Sequence, residues 1–545
     1  MMSTVRQLSI STLSPVHIGC DDVYEPSNFV ISGGLLHLLD PATLVADLTD
    51  QERNDLARLS DEREPIAALQ SYFKTNAERF AMLATHKVAV AEAVVNAYAT
   101  SAGHATQHGP GGRAVFNVFP ISRTAYRALD NAPYLPGSSI KGSMRTAWLN
   151  FKNDGKPLTG PDRDKKDGRA SRELQQRVLG YSAGKFEDDP FRSVRLADAH
   201  VADDTATPPT RVLYAVSKKK RSPRDGERAG PELKFFYETV PDSLPCVFSG
   251  ELRFGQKPQG GIDWNALCDA CNTFYVPQIQ AEMDHPVLGV MLDSGWKSLI
   301  DRLLAEELNE LRQDRQGFLL RVGRHSGAES VTLDGVRSIE IRIPQGVGTG
   351  RNEHRPESSQ KRFASLTKAG AAGLLPFGWI WVDASDDAHG YLAQSMRRKL
   401  GARSQAMRDE HADRLAHLDE RQAKRREETA ERERKVQAEA AARRAAEQAH
   451  QQRQAVLDAM GPNLRRVEEF RADFATRAQQ LCNRPDNPNT AYHTRARELA
   501  RDAAPWPMAE RTAAADAIEE WLPKVIRLDI KEERKKLKLA ALRAP

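Results

Sequence analysis

The spacing of apolar residues changes character near residue 390. Before this point, short runs alternate with polar residues at the two-residue period of β-strands. Residues 8–12 alternate in this way, and the apolar runs 29–31 and 35–39 flank Gly33-Gly34, which is a hairpin signal. The chain is therefore expected to open with strands.

Helices are expected to follow, because Asp40-Pro41 supplies a helix cap and a proline at the first helical position. Later strands are predicted at 318–322, 339–343 and 379–382. Strands at both ends of this region, with helices between them, predict an α+β fold whose sheet is assembled from distant segments.

Two segments lack any apolar period and are predicted as mobile loops, residues 151–172 and 202–231. Both are rich in Lys, Arg, Asp, Gly and Pro. The second contains Lys218-Lys-Lys-Arg221, which could contact phosphates or be a solvated loop.

The remainder of the chain has helical composition. From about Arg397 to Met460, Ala, Glu, Arg, Gln and Lys predominate, and Glu428/Arg432 is one of several favourable i,i+4 pairs. A helix of this length would reach roughly 90 Å, and without a regular heptad seam a projecting arm is favoured over a coiled-coil dimer. The chain is thus divided into a body (1–390), a charged helical arm (391–460) and a C-terminal helical domain (461–545).

Bulk composition adds little about chemistry but limits the compartment. The 545 residues include 79 Lys plus Arg against 74 Asp plus Glu, a small excess that is uninformative unless it is clustered. Five cysteines are unlike a disulfide framework, so a reducing compartment is expected. No signal peptide or membrane-spanning stretch is recognisable. These features predict a cytoplasmic protein with no membrane partner.

Cys268 and Cys271 form a lone CxxC motif, with no second cysteine or histidine pair at zinc spacing. They could bind a metal or be two partly buried thiols on a helix. No metal and no cofactor is expected.

The basic C-terminal tail begins at Lys531. It could bind RNA or form a solvated face.

Segment 134–148 carries the strongest chemical signal. A Pro-Gly turn leads through Ser138-Ser139, where a serine cap is predicted, directly into a helix on which Lys141 and Arg145 share one face. The start of a helix favours anions, so a phosphate backbone would fit here. An ordinary amphipathic helix with basic residues facing water explains the spacing as well.

Three loops next to predicted strands add groups that position a nucleic-acid backbone. His17 and Gly19 follow the first strand, and His17 could instead be a general base or a packed core histidine. The glycine-rich loop 346–350 is not a nucleotide-binding fingerprint. Another loop follows the strand predicted at 318–322, and its candidate contacts are Arg321, Arg324, His325 and Ser326. The candidate contacts of the glycine-rich loop are Gly346, Gly348, Gly350 and Arg351.

These motifs, in this order, resemble the RAMP superfamily of CRISPR proteins. Further motifs narrow the resemblance to the fifth subunit of the Csm (type III-A) effectors. The resemblance covers roughly residues 5–385 and leaves the arm and the terminal bundle unexplained. The motifs that carry it are His17-Ile-Gly19, Pro136-Gly-Ser-Ser-Ile-Lys-Gly142, the late glycine-rich loop, Asp189-Pro-Phe-Arg192 with Asp198, Arg324-His-Ser-Gly-Ala-Glu-Ser330 and Leu375-Pro-Phe-Gly-Trp379.

The resemblance implies a ferredoxin-like core, related to RNA-recognition motifs, in two half-units. It also implies a non-catalytic subunit that caps the end of the complex holding the 3′ part of the guide RNA. Such a subunit contacts the adjacent Csm backbone subunit and supports guide maturation by admitting host nucleases. By the same resemblance, Lys141 and Arg145 are phosphate contacts, the three glycines form a close-approach loop, and Arg321, Arg324 and His325 are a second contact set.

Two alternatives stay open. One is a repeat-processing endoribonuclease that uses His17 or His325; a cleaving aspartate could also be sought at Asp21 or Asp22, although nothing singles either out. The other is a scaffold protein whose helical arm recruits another factor.

Overall fold

The computed structural model describes residues 4–544 apart from a set of internal gaps. The gaps are residue 26, 63–64, 103–104, 109–113, 117–118, 159–168, 203–209, 222–234, 256–261, 347–348, 385–389 and 483.

The described strands all precede residue 390, whereas helices continue to the C-terminus. The strands are β1 (Thr4–Thr12), β2 (Gly19–Tyr24), β3 (Phe29–Ser32), β4 (Leu35–Leu38), β5 (His86–Val90), β6 (Ala105–His108), β7 (Ala114–Phe116), β8 (Ile121–Thr124), β9 (Val194–Leu196), β10 (His200–Val201), β11 (Arg211–Lys219), β12 (Phe235–Thr239), β13 (Leu244–Phe254), β14 (Gly317–Arg321), β15 (Ile339–Gly346), β16 (Thr349–Arg355), β17 (Gln360–Ser365), β18 (Leu375–Pro376) and β19 (Trp379–Ala384). The helices are α1 (Pro41–Asp47), α2 (Asp50–Ser60), α3 (Pro65–Thr75), α4 (Ala77–Ala81), α5 (Glu92–Ser101), α6 (Gly137–Asn153), α7 (Arg169–Leu179), α8 (Trp264–Met283), α9 (Ser294–Ala305), α10 (Glu307–Gln313), α11 (Tyr391–Ala459), α12 (Pro462–Leu481), α13 (Ala491–Asp502), α14 (Met508–Val525), α15 (Ile530–Lys536) and α16 (Leu539–Leu542).

The first sheet is antiparallel and has the strand order β10-β13-β1-β19-β14, with β9 also paired to β13. Strands β10, β13, β1 and β19, in this spatial order, form a ferredoxin-like unit in which α6 and α8 are the crossover helices. Strand β14 is added at the edge of this unit. Helices α6 and α8 pack against each other, and α8 packs on β14. The predicted α+β fold with a ferredoxin-like core and a helical C-terminus is therefore confirmed.

The second sheet is larger and mixed, with the order β2-β8-β12-β11-β5-β4-β3 and with β17 and β18 attached at β11. Its β11–β5 and β12–β8 pairs run parallel. The two sheets share one hydrophobic core. Two hairpins, β6–β7 and β15–β16, form separate two-stranded sheets.

Local signals at the N-terminus behave as predicted. The β3–β4 hairpin turns through Gly33 and Gly34, both with positive φ, and the Asp40 side chain accepts a hydrogen bond of 2.9 Å from the Thr43 amide at the start of α1. The loop predicted at 202–231 is wrong in its middle. Residues 211–219 form β11, where Val212, Leu213 and Tyr214 are buried. Burial on both faces removes the alternation that would have marked this strand.

The long helix α11 starts close to the predicted residue and covers 69 residues. Its first half packs on the preceding domain, where Met396 and Leu400 are fully buried. The chain accordingly divides into two compact units within the helix, Met1–Gln422 and Ala423–Pro545. This part of α11 is not a free arm, and the three-domain division by sequence stays a prediction.

The second unit contains the rest of α11 and the helices α12 to α16. Val467, Phe470 and Phe474 of α12 pack with Ile518 and Leu522 of α14 in a core of their own. The helical spacing of these residues is what predicted a terminal bundle.

Among the described residues, no helix is both long and apolar enough to cross a membrane.

The CxxC motif lies within α8. Both thiols are fully buried, the Cys268 sulfur is 3.5 Å from the Arg315 carbonyl oxygen, and burial holds the pKa of the Cys271 thiol well above its usual value. These contacts give the two cysteines a packing role.

Candidate nucleic-acid interface

Three of the candidate segments meet beside the first sheet. The Arg324 amide donates to the His17 carbonyl oxygen at 2.8 Å, and the Ser143 hydroxyl of α6 donates to the Arg321 carbonyl oxygen at 2.7 Å. Gly323 has φ +78°, and a Cβ at this position would lie 2.3 Å from the His17 carbonyl oxygen. Only glycine allows the loop after β14 to cross the loop after β1 so closely.

His17 is fully buried at this crossing. Its Nδ1 lies 2.7 Å from the Glu238 carbonyl oxygen, so in the neutral ring Nδ1–H is the donor and Nε2 is unprotonated. Nε2 is buried and has no hydrogen-bond partner within the described part of the chain. Burial lowers the pKa of His17 to about 4. His17 is therefore neutral at pH 7.

His325 packs close by, also against the Tyr237 ring. The two histidine rings make edge contacts with Tyr237, at centroid distances of 4.7 Å for His17 and 4.8 Å for His325. Burial, with Arg362 as the next cause, lowers the pKa of His325 to about 3. Tyr237 is thus held in place by two uncharged rings.

Two arginines accompany the aromatic residues of β12. The Arg324 side chain is exposed, and its guanidinium lies 5.7 Å from the Tyr237 ring centroid. The guanidinium of Arg362, from β17, lies 4.8 Å over the ring of the half-buried Phe235. We call the set Gly19, Phe235, Arg324 and Arg362 the Arg324 surface; the buried Tyr237 lies in the core beside it. Arginines beside aromatic rings can bind phosphates and stack on unpaired bases.

Sequence reasoning missed Phe235, Tyr237 and Arg362. Phe235 and Tyr237 share a face of β12 because side chains two apart point the same way, and their ring centroids are 6.4 Å apart. The aromatic run Phe235-Phe-Tyr237 was a readable strand signal. Its proximity to Arg324 was not, because the pairing of β12, β11 and β17 brings together residues far apart in sequence.

The start of α6 differs from the prediction of a serine cap. The helix begins at Gly137 after Pro136, with no side-chain cap, so Ser138 and Ser139 lie in its first turn. The Gly137 amide donates to the Asp198 carboxylate at 2.7 Å. A carboxylate of the protein therefore already binds at the position predicted for a phosphate. Ser138 is exposed and Ser139 half-buried.

Lys141 and Arg145 have different environments although they lie one turn apart. The Arg145 guanidinium pairs with Asp189 at 2.8 Å and lies 5.4 Å from the Phe191 ring centroid. These contacts attach α6 to the Asp189-Pro-Phe-Arg192 motif. The charge of Arg145 is therefore largely neutralised within the protein. Lys141 is half-exposed, and partial burial lowers its pKa. Its contact with phosphate stays a prediction.

Arg321 is not available to RNA, and its assignment as a contact is wrong. Its side chain is buried, pairs with the buried Glu282 at 3.0 Å and lies over the Trp379 ring. Glu282 also accepts from Lys361 at 3.2 Å and from the Trp379 indole at 3.0 Å. Burial opposes ionisation, but the charges of Arg321 and Lys361 outweigh it and lower the pKa of Glu282. The group ties β14, β17 and β19 to α8.

The remaining candidates lie on two other loops. Ser326 is buried and donates to the Gly323 carbonyl oxygen at 2.7 Å, so its hydroxyl stabilises the turn. Gly346, Gly350 and Arg351 belong to the β15–β16 hairpin, where Arg351 is exposed. Gly348 lies outside the described residues. The structure gives the hairpin no pairing with another described strand, and its RNA contacts stay a prediction.

The two aspartates near Gly19 also differ. Asp22 accepts a hydrogen bond of 2.6 Å from the Tyr126 hydroxyl and lies 3.7 Å from the Arg123 guanidinium. Asp21 is exposed at an irregularity of β2 and has φ 60°. Both carboxylates are exposed, and Asp22 has internal partners.

A comparison with known protein families finds a match in the first part of the chain. The family model described as "RAMP superfamily" matches residues 9–264. These residues contain the loop after β1, helix α6 and strands β8 to β13. Residues 9–264, just under half of the chain, are thus similar to the RAMP superfamily, and we call them the RAMP region. The RAMP region thus includes His17, Gly19, Phe235 and Tyr237. Arg324, in the loop after β14, and Arg362, in β17, come later in the same unit.

Two curated relatives are CRISPR system proteins named Csm5. The protein from Methanocaldococcus jannaschii is 23% identical over 200 residues, which cover 35% of this chain and 42% of that protein. The protein from Streptococcus thermophilus is 25% identical over 201 residues, 36% of this chain and 52% of that protein. The chain therefore spans about half the length of the curated relatives it matches.

Among solved structures, a chain of the cryo-EM structure of a Csm-crRNA-target RNA ternary complex in a type III-A CRISPR-Cas system aligns with 70% of this chain and all of that chain. The sequence identity is 16% and the TM-score 0.41.

Proposed function

We propose that this protein is a guide-RNA-binding subunit of a type III-A CRISPR (Csm) complex. In this role it caps the end that holds the 3′ part of the guide, contacts the adjacent Csm backbone subunit and supports guide maturation by admitting host nucleases. The protein acts in the cytoplasm and binds RNA without cutting it. The RAMP region and the Csm5 relatives support the complex.

The observation that carries the binding role is the Arg324 surface. An exposed arginine, a second arginine over an aromatic ring and a glycine with little steric bulk lie together beside the RAMP loop after β1. Arginine binds phosphate through a planar fork of donors, and the ring of the half-buried Phe235 offers a stacking surface. These groups position RNA without reading its sequence, as a subunit that accepts many guides requires.

The alternative function, cleavage of repeat RNA by His17 or His325, has less support from the geometry. A general base works best with a pKa near the working pH and within reach of the reacting hydroxyl. His17 is buried with a pKa of about 4, and His325 has a pKa of about 3. Both rings instead support the Tyr237 side chain.

The test is sequencing of RNA that co-purifies with the tagged protein from its native host, for the wild type and for Arg324→Ala/Arg362→Ala. We expect trimmed CRISPR RNAs and Csm partners with the wild type. The double variant should yield guides that are fewer or abnormal at the 3′ end, because two phosphate contacts are lost.

Arg58→Ala/Arg302→Ala is the matched control, since it removes two exposed arginines on α2 and α9. It should leave the guides unchanged. If the wild type enriches no RNA, the proposal is wrong. If instead the isolated protein cuts repeat RNA in EDTA and His17→Ala abolishes the cutting, the endoribonuclease alternative is correct.

A further inference from the structure

The second unit contains an open groove between α13 and the last two helices, α15 and α16. Its volume is about 720 Å³. Arg497, Arg501, Lys536 and Lys538 line it together with small or aliphatic residues, and no acidic or aromatic side chain is among the lining residues. We call it the C-terminal groove.

The four cations are incompletely neutralised. Arg497 and Lys536 share one carboxylate, Glu533, at 3.5 and 3.6 Å, and Glu533 also accepts from His493 at 3.0 Å. Arg501 is 75% exposed and lies 3.1 Å from Asp502, which also pairs with Arg466. Lys536 also lies 3.8 Å from the exposed Glu532. Three carboxylates are therefore divided among the four cations of the groove and Arg466, and the groove keeps a positive excess.

Charge is also unevenly divided along the chain. Residues 423–545 contain 26 Lys plus Arg against 20 Asp plus Glu, a net charge of +6, whereas residues 1–422 contain 53 against 54, a net charge of −1. The positive excess of the protein thus lies in the unit that carries the groove. Clustered cations attract polyanions and raise their rate of association.

We propose that the C-terminal groove is a second nucleic-acid site, which binds the phosphodiester backbone independently of sequence. Four cations around an aliphatic floor suit a chain of phosphates. Without an aromatic ring among its lining residues, the groove offers no stacking surface for bases. The ligand is therefore recognised through its backbone, and RNA and DNA should bind alike.

The test measures binding of full-length protein to a fluorescent 20-nucleotide single-stranded RNA of unrelated sequence across a salt series. Arg501→Ala/Lys538→Gly is compared with the parent, both carrying Arg324→Ala/Arg362→Ala to remove the contribution of the first unit. Lys538 has φ +50°, a conformation that glycine adopts without strain, so the variant should fold. The slope of log K against log salt should become shallower by roughly 1.4, about 0.7 for each lost phosphate contact.

Arg484→Ala/Arg527→Ala is the control, because both arginines are exposed but do not line the groove. It should keep the parental slope. A single-stranded DNA of the same length should respond to the groove variant as RNA does. An unchanged slope in the groove variant overturns the proposal and favours an acidic protein segment as the ligand of the groove. A decrease in slope that is confined to RNA also overturns it. Because the background lacks the Arg324 surface, this outcome does not depend on guide binding by the first unit.

Discussion

Single residues in the loop after β14 illustrate how strongly environment decides a role. Arg321 and Arg324 are three positions apart, yet one is buried against Glu282 and the other is exposed beside Tyr237. The turn between them depends on Gly323, whose positive φ directs the chain over His17. The same loop therefore contributes one arginine to the core and one to the surface.

Replacing His17 should make stability less dependent on pH. Since burial lowers the pKa of His17 from 6.5 to about 4, the unfolded chain binds a proton between these values that the folded protein does not. Folding is therefore weakened as the pH falls from about 6.5 towards 4. In His17→Gln this contribution disappears, and the slope of unfolding free energy against pH should decrease by up to about 1.4 kcal/mol per pH unit. Urea denaturation between pH 5 and 6.5 measures it.

His417→Gln is the matched control, because His417 lies exposed on α11. Its pH slope should equal that of the wild type. Equal slopes for His17→Gln and the wild type would contradict the description of His17 as a buried neutral ring.

Among the secondary-structure elements, α11 changes its surroundings along its length. Arg403 pairs with Asp242 at 2.7 Å and with Asp293 at 3.0 Å, and Arg414 donates to the Gly34 carbonyl oxygen at 3.1 Å. Beyond Gln422 the helix belongs to the second unit, and its side chains are exposed over most of the following turns. The first half of α11 is thus a structural part of the first unit.

Two truncations should therefore behave differently. A chain ending at Gln422 should remain soluble and melt cooperatively, because it keeps all of the first unit. A chain ending at Gly390 loses the buried Met396 and Leu400 and both Arg403 ion pairs. Burial of each large apolar side chain contributes about 2–5 kcal/mol, so this chain should aggregate or melt at a much lower temperature. Thermal unfolding followed by circular dichroism distinguishes them, and equal melting temperatures would show that residues 391–422 of α11 are dispensable for the stability of the first unit.

At the scale of the whole molecule, the two proposed RNA contacts rely on different physics. The Arg324 surface combines two arginines with the ring of Phe235 in a unit of net charge −1, whereas the C-terminal groove relies on clustered cations in a unit of net charge +6. Electrostatic binding weakens steeply with salt, and stacking much less. The salt dependence of RNA binding should therefore differ between the two units.

Removing residues 423–545 should flatten the salt dependence of binding to RNA of unrelated sequence. The truncated chain loses the phosphate contacts of the groove, about 0.7 in slope for each, while guides should still co-purify with it if they bind at the Arg324 surface. Filter binding across a salt series, with the full-length protein as the reference, measures the change. A truncated chain with the same slope would show that the second unit contributes no contacts.

Sequence by itself determined the elements whose signals are local. The alternation in β1, the Gly33-Gly34 hairpin, the Asp40 cap and the charged periodicity of α11 all specify backbone conformation through neighbouring residues, and the motif order indicated the RAMP superfamily. Tertiary structure decided what depends on distant partners. Strand β11 lacked a period because both its faces are covered, and Arg321 lost its predicted role because Glu282 and Trp379 enclose it. The Arg324 surface exists because β12 and β17 flank β11, and pairing between strands so far apart leaves no signal in any single segment.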